Sequence, residues 1–133
     1  MPARWRPISF AICGLMLLAT AAFAIASIVH FGVVIALGPI TLDDPFPGAA
    51  ILEAVIAVVL GIGSASVIAR VPARWLVALA TTLFALLLTV YGLTITLHSS
   101  RTGDIVYHIT ILAVSAVIVG LLLLPTGRRS LSA

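Results

Sequence analysis

Charge is what this sequence has least of. Only 8% of its 133 residues are Asp, Glu, Lys or Arg, while 62% are hydrophobic. A soluble domain of this size exposes too much surface to be covered by so little charge, so the composition excludes a water-soluble globule and indicates a membrane protein. Cysteine is nearly missing as well. Cys13 stands alone, which excludes an internal disulfide, a CxxC redox pair and a thiolate metal site. Among apolar neighbours it reads as a packing residue. Seven basic residues are too few, and too scattered in pairs, to form a nucleic-acid face. There is no serine nucleophile motif, no dense acidic motif and no Gly-rich phosphate loop, so the expectation leans away from an enzyme.

What the chain does have is four apolar stretches, 8–37, 49–69, 75–97 and 105–124. A bilayer core about 30 Å thick needs about 20 helical residues at about 1.5 Å each. The last three fit that length. The first has to tilt, protrude or break near its far end. The expected fold is all-α: a single integral domain over 1–133 forming a four-transmembrane-helix bundle. Gly38-Pro39, the run 43–48, Arg70-Val71-Pro72, the run 98–104 and Pro125-Thr126-Gly127 separate the helices. Arg4 and Arg6 followed by an apolar run to Ala24-Ile25-Ala26 resemble a secretory signal peptide. The run continues to Leu37, however, and cleavage would leave half a span, so an uncleaved first helix is expected.

Orientation follows from arginine. Arg4, Arg6, Arg70, Arg74, Arg128 and Arg129 fall on one side and Arg101 on the other. The positive-inside rule then places both termini in the cytoplasm of a multi-pass plasma (inner) membrane protein, with Trp5 and Trp75 as interfacial anchors. All acidic residues and histidines fall in the outer half. Pro2-Ala3-Arg4-Trp5 recurs as Pro72-Ala73-Arg74-Trp75, and 54–61 resembles 113–120, which suggests two pseudo-repeated helical hairpins.

Counting from the inner ends places Glu53, Tyr91 and His108 about 24 Å out, and His30 and His98 about 34 Å out. The expectation is an outward-facing pocket with Glu53, His108 and Tyr91 as a deep tier and His30 and His98 above them. Asp104 begins the fourth helix and can also orient His108, one turn away. Asp43 and Asp44 keep the outer loop hydrated. Ala50, Ala54, Ala57, Gly61 and Ser64 form a small-residue stripe beside Glu53, so the carboxylate is expected to face protein.

An ionisable residue inside a span costs about 3 kcal/mol when unpaired, which makes Glu53 either a hydrogen-bonded link between helices or a functional centre. The favoured function is binding of a cation or small solute, as in a transporter or channel. A metal- or haem-binding redox protein, with His30 and His98 as axial haem ligands, is the alternative. So are an enzyme acting on lipid chains and a non-catalytic accessory subunit. Expected partners are the lipid bilayer and a homo-oligomer or larger membrane complex. No cofactor is assigned.

Overall fold

The computed structural model describes residues 7–99 and 101–132. Arg4, Trp5, Arg6 and the first copy of the repeated tetrapeptide lie outside the described residues. Four long apolar helices make a multi-pass membrane bundle: α1 (Pro7–His30), α2 (Pro47–Ile68), α3 (Arg74–Thr96) and α4 (Thr102–Leu123). At about 1.5 Å per residue each can cross the hydrocarbon core. Successive helices pack side by side, and α4 closes the ring on α1. Ile12, Met16, Phe23, Ile56, Leu60, Ile118 and Leu122 fill its middle. Phe10, Leu18, Ile51, Val58, Leu76, Leu87 and Val106 point outward, as expected where the solvent is lipid.

The hydroxyls are mostly inside. Ser64, Thr82 and Thr89 are buried, and each donates to the backbone carbonyl four residues back on its own helix. The small-residue stripe of α2 is used within the chain. Gly61 lies against Thr20, and Ser27 Oγ donates to the carbonyl of Ala50 at 2.8 Å. Close backbone approach at such residues is what packs helices in a medium without a hydrophobic drive.

Two boundaries differ from the sequence expectation. The first helix ends at His30, not Leu37. Gly32, at φ +91°, turns the chain, with its amide on Val29 and that of Val33 on Ile28. Strands β1 (Ile35–Leu37) and β2 (Ile40–Leu42) then form a hairpin across a two-residue loop. Gly38 opens that loop at φ +62°, the conformation a tight hairpin asks of its first central residue. The over-long apolar run is therefore a span followed by a β-branched hairpin.

The second difference is a short helix, α5 (Pro125–Ser132), where only a helix stop was expected. Leu124, held before proline at ψ 140°, ends α4, and Pro125 opens the next helix as a first-turn residue with no amide to waste. Leu131 is buried there. Trp75 Nε1 donates to the carbonyl of Leu122 at 2.8 Å, satisfying an orphan of the α4 terminus, and Arg128 lies 4.8 Å over the Trp75 ring. Together these ties close the arginine-rich end.

Candidate functional site

The four acidic side chains gather at the opposite end, and the centre there is a buried pair. His30, the last residue of α1, and Glu53, on the second turn of α2, are each 3% exposed. His30 Nδ1 lies 2.6 Å from Glu53 Oε2. With Glu53 ionised the carboxylate can only accept, so Nδ1 donates. Glu53 Oε1 is buried with no hydrogen-bond partner.

The other ring nitrogen of His30 faces two more carboxylates. Nε2 is 3.6 Å from Asp104 Oδ1 and 3.9 Å from Asp44 Oδ2. Arg101 joins those two acids. Its Nε donates to Asp104 Oδ2 at 2.6 Å, and its guanidinium pairs with Asp44 Oδ1. Burial opposes ionisation of Asp44, yet the Arg101 guanidinium beside it holds its carboxyl below the ordinary value. The hydrogen bond from Arg101 to Asp44 in turn raises the Arg101 guanidinium above its usual range. Phe46 links the two loops. It stacks under Arg101 at 4.8 Å and meets the His30 ring edge-on at 6.1 Å, while its amide donates to the His30 carbonyl at 2.8 Å.

Both members of the pair line a cavity of about 240 Å³, set mainly between α2 and α3 and reaching α4. Glu53 and His108 both line it, along with apolar Phe23, Leu52, Ile56 and Leu88. His108 Nδ1 donates to the Asp104 backbone carbonyl at 2.7 Å, and its Nε2 edge packs on Gly92, where any Cβ would come within 2.7 Å. Thr89 and Thr96, also on the wall, donate their hydroxyls to Ala85 and Gly92. The residues that line it thus carry mainly acceptors: the Glu53 carboxylate, His108 Nε2 and threonine oxygens. Tyr91, 56% exposed at the edge, adds a hydroxyl that can act either way.

The structure brings Glu53, His108, Tyr91 and His30 around one cavity, but the tiers drawn by counting are not those observed. His30, placed in an upper tier by the count, is the direct partner of Glu53. The count started every helix at one level. The neighbours Met16–Gly63 and Thr20–Gly61 set a register in which α1 starts about one turn further inward than α2 ends. That shift lowers His30, and two long side chains span the rest.

His98 is not brought in. It is exposed, lines neither described cavity and donates from Nδ1 to the carbonyl of Thr94 at 2.6 Å. The suggested His30–His98 axial pair is therefore corrected: one ring is buried on Glu53, the other lies along its own helix. Asp104 falls in the first turn of α4 with no side-chain cap bond; its carboxylate serves Arg101 and faces His30, and only its backbone carbonyl orients His108. Arg101 and Asp44 were not singled out as site residues. The signal for Arg101 was its isolation, one cation at an end holding all four acids. No protein-family model, curated protein or solved structure matches this chain.

Proposed function

We propose that this chain is a plasma-membrane protein with cytoplasmic termini whose acidic end faces outward and binds a small organic cation or other small solute, in the manner of a transporter or channel. The observation that supports it is Glu53 Oε1: a buried, unpartnered carboxylate oxygen on a residue that lines a largely apolar cavity whose polar groups are mainly acceptors. A buried acceptor left unpaired costs about 1–3 kcal/mol. A ligand with a protonated amine and an apolar body would satisfy it while covering the apolar wall. At about 240 Å³ the space lies just below the roughly 300–1,000 Å³ of drug-sized pockets, which fits a compact solute. The arginine-rich half is packed closed by Ile12, Leu122 and Ile118, each fully buried, so passage through the bundle would require its helices to move.

Benzylammonium is a suitable probe. Added to the detergent-solubilised protein, it is expected to raise the thermal midpoint of the wild type and not of Glu53→Gln, while neutral benzyl alcohol does little to either. Equal responses of wild type and variant to benzylammonium would refute the reading.

A further inference from the structure

The solute reading uses the cavity side of the His30–Glu53 pair. The other side, where His30 Nε2, Asp44 and Asp104 converge, has a separate geometry. Nε2 is 3.6 and 3.9 Å from its two nearest carboxylate oxygens. Hydrogen bonds from nitrogen to oxygen span about 2.7–3.2 Å, so this nitrogen of a ring only 3% exposed points between two acids and bonds neither. Atoms that share one metal ion stand apart in just this way. With ligands about 2.0–2.2 Å from a tetrahedral ion, donor-to-donor separations come to about 3.3–3.6 Å. The three candidate ligand atoms all lie within 4.8 Å of one another. Asp44, 45% exposed on its loop, has the freedom to close the remainder.

Orientation points the same way. Glu53 takes the Nδ1 side of His30, which fixes the tautomer and leaves Nε2 as the ligating nitrogen. The charges agree. Three carboxylates, those of Glu53, Asp44 and Asp104, stand against one guanidinium, Arg101, so the cluster suits a cation in the place of a proton on His30 Nε2. Arg101 does not obstruct it, because it takes Asp104 Oδ2 and Asp44 Oδ1 while the other oxygen of each acid faces His30. The three residues also line an open groove of about 570 Å³ between α1, the hairpin and α4, with Asp43 beside them. An ion can arrive through that groove without crossing the solute cavity.

We propose that His30, Asp44 and Asp104 form a binding site for a divalent first-row transition ion, with Glu53 orienting His30 and Arg101 holding the two aspartates. One imidazole nitrogen with two carboxylates suits ions of the Mn²⁺ to Zn²⁺ series; Ca²⁺ and Mg²⁺ favour all-oxygen sets. The test uses the full chain in detergent, stripped with chelator and then dialysed. Titration with Zn²⁺ is expected to show one equivalent per chain, and Co²⁺ a visible spectrum that Zn²⁺ abolishes. His30→Gln and Asp104→Asn should remove both signals. Asp44→Asn should weaken them, and Glu53→Gln should lower affinity about 10- to 100-fold, as loss of an orienting carboxylate does elsewhere. His98→Gln should bind as wild type. Helix content by circular dichroism shows which variants fold. If the buried variants do not, Asp44→Asn decides, because its side chain is half in solvent. Absence of stoichiometric Zn²⁺ and Co²⁺ binding, undiminished binding in Asp44→Asn, or loss of binding in His98→Gln would overturn the site. His30 and Asp104 line both the cavity and the groove, whereas Asp44 lines only the groove, so Asp44→Asn should weaken Zn²⁺ binding and leave the benzylammonium response unchanged, and either proposal can fail without the other.

Discussion

Removing one member of the His30–Glu53 pair should cost far more than removing both. Each side chain is 4% exposed and they meet at 2.6 Å, so each is the other's compensation for burial. Glu53→Met keeps length but leaves the Nδ1 hydrogen of His30 without an acceptor. His30→Phe keeps ring shape but leaves a buried carboxylate with neither oxygen bonded, since Oε1 already has no partner. Breaking a buried ion pair from one side costs about 3–5 kcal/mol, whereas apolar replacement of both partners is often neutral. Each single variant is therefore expected to lose about 3–5 kcal/mol. The double variant should lose about 1–2 kcal/mol, part of it from the unbalanced Arg101 cluster above. The coupling energy is then at least about 4 kcal/mol, well beyond the roughly 0.5 kcal/mol within which independent sites add. Reversible unfolding in mixed micelles, titrated with a denaturing detergent and followed by circular dichroism, measures all four proteins. Additive losses would mean that the pair is not a mutual compensation, and the electrostatic account of this end would fail with it.

Gly92→Ala should destabilise by about 1–3 kcal/mol, because the new Cβ lands 2.7 Å from His108 Nε2 and the ring must leave its place. Gly14→Ala, with nothing within 4 Å, should be neutral or stabilise by up to about 1 kcal/mol in the same unfolding assay. Trp75→Phe removes the bond to the Leu122 carbonyl and the indole under Arg128, so amide exchange across 125–132 should rise while exchange in α2 stays unchanged. The Asp44 carboxyl sits below its ordinary value of 3.8. Its contribution to loop closure is present above that pH and is lost as pH falls through the depressed value, so protease sensitivity of the 43–46 loop should rise only in strongly acidic solution, and Asp44→Asn should flatten that profile.

The spans were legible because lipid as solvent leaves one pattern, long uninterrupted apolar runs, and four of them are present. Composition could not locate the end of α1. Val33, Val34 and Ile35 are as apolar as the helix before them, and only Gly32 and Gly38 marked the change to a hairpin. Helix α5 is hidden for a related reason: Pro125 reads as a stop in the sequence, although proline equally opens a helix. At the site, the sequence singled out Glu53, and the carboxylate does face protein. Its partner was misplaced because depth counting presumes a common starting level, while register between helices is set by packing at residues such as Gly61 and Gly63. Arg101 escaped for want of any distance information across 57 residues to Asp44.

The two ends of the bundle differ for one reason: what stands on the ring's axis. Toward the arginine-rich end, Ile12, Met16, Leu60, Ile118 and Leu122 fill the centre, and the Trp75 and Leu131 contacts close it. Toward the acidic end, α2 and α3 present Gly48, Ala49 and Thr89 to the same space, and these are too small to meet across it. The volume they leave open lies where Glu53 and His108 sit, in the half of the chain that also carries Arg101 and the loop acids. Burying an acid costs free energy that an apolar contact would not, and the void forgoes packing as well. Both costs fall at one end, over the same few residues, while the rest of the bundle is packed for stability. Stability alone would have placed leucine at 53. The coincidence of a charged wall with an unfilled space is the reason to look for a ligand there.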